Sequence, residues 1–153
     1  GVPVICEIKL FSGNNCSELC RETCKIMDTY PGDWCIQSFS PFHVQWFRKN
    51  RPEIIRGQLS AAMREYNGQN AVNRFGMRHL LINFFSRPDF IAYGFNDLSP
   101  WGFRLCRAFY EPFFMAWTVR GEKQFFQAQK DFDTIIFEKN EIKNWNELRN
   151  TGG

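Results

Sequence analysis

The chain has 153 residues, 44% of them hydrophobic and 23% charged. That is the size and balance of one globular domain, 1–153, with a core of its own, and it excludes an intrinsically disordered chain. The formal net charge is only +3 and the basic residues are scattered, the densest group being Arg48-Lys49-Asn50-Arg51, so no nucleic-acid partner is expected.

Six cysteines are present, Cys6, Cys16, Cys20, Cys24, Cys35 and Cys106, and none forms a CxxC pair. Cys6 and Cys35 lie in apolar runs, where cysteine behaves as a small hydrophobe. Cys16, Cys20 and Cys24 recur every four residues and so share one helix face. They span about 12 Å of helix axis, too far for all three to reach one ion, and they read as core-facing or free thiols. This usage fits a reducing compartment, and a cytoplasmic location is expected. No segment reads as a signal peptide or a membrane span. The most apolar window, Phe109 to Val119, is broken by Glu111 and Pro112. Gly1 leads almost directly into a strand, as in a chain that continues upstream.

Pro3-Val4-Ile5-Cys6-Glu7-Ile8-Lys9 reads as the first strand. Asn15 caps a helix that Glu18 supports and that Pro31-Gly32-Asp33 ends. The second strand is Trp34–Phe39. Ser40-Pro41 opens a helix to Asn50, with Phe42, Trp46 and Phe47 facing inward. Ile54–Leu59 reads as the third strand, followed by a helix around 71–85 that places Phe85 in the core. Asp89–Tyr93 is the fourth strand, and Ser99-Pro100 starts another helix. Phe113–Val119, the helix Glu122–Lys130 and the strand Thr134–Phe137 complete the regular pattern before a polar tail.

Strands alternating with helices six times imply a parallel sheet with right-handed crossovers. Two architectures satisfy this: an open doubly wound sheet, or part of a (β/α)8 barrel of the TIM type. Phe11-Ser12-Gly13-Asn14-Asn15 is not the glycine-rich turn of a dinucleotide-binding sheet. In both architectures chemistry lies at the carboxyl ends of the strands, where Glu7, Lys9, Ser38 and Trp117 fall. Glu7 and Lys9 are two residues apart in a strand and emerge on one face. They form either a surface ion pair worth about 0–1 kcal/mol, or a carboxylate for a metal beside an ammonium for an anion. His43 and His79, the two histidines, read as surface or helix-packing residues.

Pro3-Val4-Ile5-Cys6-Glu7-Ile8-Lys9 resembles the Glu-Ile-Lys strand of the glycerophosphodiester phosphodiesterases. Ile36-Gln37-Ser38-Phe39, Trp46-Phe47-Arg48-Lys49-Asn50-Arg51-Pro52 and Arg56-Gly57-Gln58-Leu59 look like the next two units of that family. Pro88-Asp89-Phe90, Ala116-Trp117-Thr118-Val119 and Asp133-Thr134-Ile135-Ile136-Phe137-Glu138 match the last three. The resemblance implies a (β/α)8 barrel, here with six of its eight units, strands three to eight. It implies hydrolysis of glycerophosphodiesters to glycerol 3-phosphate and an alcohol, with a divalent cation, Mg²⁺ or Ca²⁺. It assigns Glu7 as a metal ligand, Lys9 as the phosphate contact and Trp117 as the wall on the glycerol side. Gln37, Ser38 and Gln58 carry over more weakly and receive no role. The family's His-Arg-Gly and Glu-x-Asp motifs have no counterpart in these 153 residues, so the chain alone is expected to be inactive. Open sheet edges are expected to favour self-association. A related phospholipase C- or D-like barrel and a non-catalytic α/β scaffold are the alternatives.

Overall fold

The computed structural model describes residues 1–9, 15–60, 83–95, 108–109 and 113–138. The helix expected from Ser99-Pro100, most of that expected over 71–85, the polar tail, His79 and Cys106 lie outside them. In chain order the elements are β1 (Val4–Glu7), α1 (Cys16–Met27), β2 (Trp34–Ser38), α2 (Pro41–Asn50), β3 (Arg56–Ser60), α3 (Asn83–Ser86), β4 (Phe90–Gly94), β5 (Phe113–Val119), α4 (Gly121–Asp131) and β6 (Thr134–Phe137).

All six strands are parallel and lie in sequence order, β1-β2-β3-β4-β5-β6. They form a half-barrel of the TIM type, and strand alternation divides the core between its two faces. On the concave side Leu59, Phe90 and Ala92 pack with Cys35, Phe39, Met115 and Trp117. On the helix side Ile8, Cys20, Cys24, Ile36 and Phe47 join α1 and α2 to β1 and β2. A second helix-side cluster, including Ile91, Tyr93, Phe114, Phe125 and Ala128, seats α4 on β4 and β5.

Local chemistry accounts for the element ends. Asn15 caps α1 by accepting from Ser17 N at 3.0 Å and Glu18 N at 3.5 Å. Pro41 opens α2 after Ser40, where its missing N–H costs nothing. The amino ends of the strands are braced by aspartates. Asp89 carboxylate accepts from Arg56 N at 3.0 Å, and Asp133 carboxylate accepts from Phe114 N at 2.8 Å. These residues of the sequence motifs therefore act on the rim opposite the carboxyl ends, where barrels place stability rather than chemistry.

Three sequence expectations are corrected. The third strand runs Arg56–Ser60 rather than from Ile54, because Ile54 N–H turns back to Arg51 O at 3.1 Å. Phe42 points outward at 61% exposure and stacks edge-on with Phe85, which is also exposed, while His43, Val44 and Phe47 form the buried face of α2. Of the two roles expected of His43, surface or helix-packing, the structure shows the second: it is fully buried between helix and sheet. Among the described residues no helix is long and apolar enough to cross a membrane.

Candidate active site

Glu7 is the last residue of β1, and its neighbours Cys6 and Ile8 face the helices. Alternation therefore turns Glu7 to the concave side. Lys9 follows it there, with Nζ 3.6 Å from Glu7 Oε1. The Lys9 side chain is 63% exposed and that of Glu7 32%. As a structural ion pair it is worth about 0–1 kcal/mol. Both groups are open to a ligand arriving at the carboxyl end of the strand.

Across the ladder Glu7 is in register with Gln37 of β2. Gln37 lies between Cys35 and Phe39, both of which pack in the concave cluster. Its Oε1 is buried and has no hydrogen-bond partner among the described residues. An orphaned amide oxygen beside a carboxylate is the feature sequence reasoning passed over. The Ile36-Gln37-Ser38 motif named the residue, but only the register shows that it stands next to Glu7.

Ser38 and Gln58 face the helices instead. Ser38 Oγ donates to Ile8 O at 2.7 Å, and Gln58 Nε2 donates to Ser38 O at 3.0 Å and Phe39 O at 3.1 Å. Both side chains tie strand ends together on the far side of the sheet from Glu7.

Trp117 is on the concave face of β5, edge-on to Phe39 with ring centroids 5.6 Å apart. Its Nε1 donates to Ala92 O at 3.0 Å and Ser60 O at 3.3 Å. The β5–β6 register shifts between Ala116 and Val119, and such an irregularity beside Trp117 is one way a strand re-aims a side chain. Glu7 and Lys9 thus form one pair at β1, and Trp117 occupies the same face four strands away.

A hard divalent cation takes oxygen ligands, and the Glu7 carboxylate and the partnerless Gln37 oxygen fit that requirement. The cysteines do not offer a ready nucleophile. Burial pushes the thiols of Cys6, Cys16, Cys20, Cys24 and Cys35 up, and at Cys20 the adjacent Cys16 adds to the effect. None of the five is held as a nucleophilic thiolate.

No family model matches the sequence, and no curated protein sequence matches it. Solved structures do share its fold. A phosphodiesterase from Oleispira antarctica, solved with the product sn-glycerol-3-phosphate, is 14% identical with a TM-score of 0.62 over 86% of this chain and 49% of its own. A glycerophosphodiester phosphodiesterase from Parabacteroides distasonis is 12% identical with a TM-score of 0.57, over 88% of this chain and 52% of its own. By fold the chain is similar to glycerophosphodiester phosphodiesterases, and it spans about half the length of each of these two.

Proposed function

We propose that this chain supplies strands three to eight of a (β/α)8 barrel that hydrolyses glycerophosphodiesters to glycerol 3-phosphate and an alcohol, using Mg²⁺ or Ca²⁺. One observation carries the reading: the Glu7–Lys9 pair stands at the carboxyl end of a strand in a half-barrel shaped like known phosphodiesterases. The product held by the Oleispira antarctica enzyme is a small phosphate ester, and a ligand of that chemistry suits a carboxylate and an ammonium side by side.

Glu7 holds the cation, and Gln37 Oε1 is the adjacent oxygen donor. When bound, such an ion polarises a phosphoryl oxygen and gathers negative charge. Lys9 binds a phosphate oxygen through its ammonium, a compact donor on a flexible stem. Held beside Glu7, that charge is in place before the charge of the transition state develops. Trp117 forms the wall on the glycerol side. Its N–H is spent on two backbone carbonyls, so the ring presents an apolar surface to the ligand.

Among the described residues the one histidine, His43, is enclosed on the helix side, away from Glu7, Lys9 and Trp117. Acid–base chemistry is assigned to groups beyond these, and the 153-residue chain alone is expected to be inactive.

The test measures glycerol 3-phosphate released from glycerophosphocholine by the longer polypeptide containing this chain, with Mg²⁺, with Ca²⁺ and with chelator. Cation-dependent release is expected, falling at least about 10²–10³-fold in Glu7→Gln, the scale of losing one charge-stabilising group. Release that ignores chelator, or that survives both Glu7→Gln and Lys9→Met, overturns the proposal.

A further inference from the structure

On the opposite side of the sheet a second group of ligand-bearing side chains converges. Cys16 and Cys20 lie one turn apart on α1, and His43 reaches them from the first turn of α2. The two Sγ atoms and a ring nitrogen of His43 all lie within 4.8 Å of one another. Cys20 and His43 are fully buried, and Cys16 is partly accessible.

The hydrogen bonds around His43 favour one tautomer. Ser38 Oγ has one proton, and it goes to Ile8 O at 2.7 Å. The same oxygen accepts from Ser40 N at 3.1 Å and lies 2.9 Å from His43 Nδ1. With the hydroxyl proton directed to Ile8 O, His43 Nδ1 is assigned as the protonated nitrogen, donating to Ser38 Oγ. Nε2 is left with its lone pair, and it is buried with no hydrogen-bond partner among the described residues. A buried imidazole lone pair without a partner is costly. Its other nitrogen is anchored by a hydroxyl, as the outer partners of metal-bound histidines anchor theirs.

We propose that Cys16, Cys20 and His43 bind a Zn²⁺ ion. Two thiolates and one imidazole are the soft and borderline donors that select zinc over Mg²⁺ or Ca²⁺. Around a tetrahedral zinc, with Zn–S near 2.3 Å, ligand atoms lie about 3.5–3.8 Å apart, so the three need only close in slightly. Binding forms two Zn–S bonds and one Zn–N bond, and the two thiol protons leave to solvent. Solvent reaching past Cys16 fills the fourth position. The ion pins α1 to the α2–β2 corner. Cys24, a turn beyond Cys20, stays outside the site. This inference is independent of the phosphodiesterase reading, since its residues lie on the helix face and Glu7 on the concave face.

Cobalt spectroscopy on the reduced 153-residue chain tests it. Stoichiometric Co²⁺ should produce thiolate-to-cobalt charge transfer and the intense visible bands of a tetrahedral ion, and Zn²⁺ should displace it. Cys16→Ser and Cys20→Ser should each remove the charge transfer, while Cys24→Ser keeps it. Ser38→Ala, which leaves all three ligands in place, should weaken zinc binding about 10–100-fold. A readout on the unaltered chain guards against variants that do not fold. Zinc should slow alkylation of Cys16 and Cys20 and leave the rate at Cys24 unchanged. A folded chain that gives only the pale spectrum of octahedral Co²⁺ overturns the site. So does charge transfer that survives in both Cys16→Ser and Cys20→Ser, or equal alkylation rates with and without zinc.

Discussion

Gln37 stands directly opposite Glu7 across the β1–β2 ladder, and its buried amide oxygen has no hydrogen-bond partner among the described residues. An unsatisfied buried acceptor costs about 1–3 kcal/mol. Gln37→Met removes that acceptor at similar volume. Without divalent cation the variant should therefore be as stable as the parent, or more stable by up to that amount. With Ca²⁺ or Mg²⁺ the order should change, because only the parent gains from binding at Glu7 and Gln37. Thermal melts with and without cation check both halves. A destabilised Gln37→Met chain that keeps the parent's cation response would show that Gln37 only packs.

Trp117 does two jobs that mutation can separate. Its N–H satisfies the carbonyls of Ala92 and Ser60, and its ring packs on Phe39. Trp117→Phe keeps a ring and loses the hydrogen bonds, at about 0.5–1.5 kcal/mol for each bond lost. Trp117→Ala also opens a cavity and should cost about 3–5 kcal/mol. Urea midpoints should rank parent, Trp117→Phe, Trp117→Ala. Parent-like stability in Trp117→Ala would mean that the indole does not brace the strand ends.

The alternation of strands and helices was legible because each element carries its own signal. Asn15, Ser40-Pro41 and the apolar strand runs announce themselves within a few residues. What could not be read is how distant elements meet. The four-residue spacing of Cys16, Cys20 and Cys24 identified a helix face, yet the spacing cannot say that His43 of α2 abuts its first two members. In the same way the apolar pair Ile54-Ile55 suggested an earlier start to β3. Register with β4 begins instead at Gly57, and Ile55 is left exposed. Glu7 and Lys9 were legible as a pair through the period of two, whereas the place of Gln37 beside them follows only from strand register.

That register also explains why Gly57 is glycine. Gly57 pairs with Phe90 across β3 and β4, and the Phe90 ring lies where a Cβ on residue 57 would be. Gly57→Ala forces the ring aside in a packed layer, at about 1–3 kcal/mol. For a chain of this size that lowers the melting temperature by roughly 2–4 °C per kcal/mol. Phe90→Leu in the same background should recover part of the loss. If Gly57→Ala costs as much in a chain carrying Phe90→Leu as in the parent, the overlap is not its cause.

Arg51 joins the ends of two helices to the loop before β3. Its guanidinium makes 2.9 Å bonds to both carboxylate oxygens of Asp28 and also pairs with Glu53. These hydrogen bonds hold the carboxyls of Asp28 and Glu53 below their ordinary range. A depressed carboxyl pKa means that the unfolded chain takes up protons first as the pH falls. The stability from these contacts is therefore present above about pH 4–5, near the ordinary carboxyl values. It is lost as the pH falls through the folded-state values. Arg51→Gln should be less stable than the parent near neutrality, and the gap should narrow on acidification and with added salt. Denaturation midpoints measured from about pH 7 down to about pH 3.5 check this. A gap independent of pH would assign the loss to packing of the arginine stem rather than to charge.

Among the described residues β1 pairs only with β2, and β6 only with β5. Among the described residues neither therefore has a strand on its outer side. Such edges template pairing with another chain. At β1 the exposed Ile5 adds an apolar side chain on the concave face. The 153-residue chain should therefore associate with itself as concentration rises. Ile5→Lys should reduce this, because a charge on an edge strand resists pairing while costing little where the residue is already exposed. Sedimentation velocity across a concentration series measures it. Concentration-independent monomers of the parent chain would show that neither edge is available. Association unchanged in Ile5→Lys would shift the contact away from β1, leaving β6 as the edge to alter next.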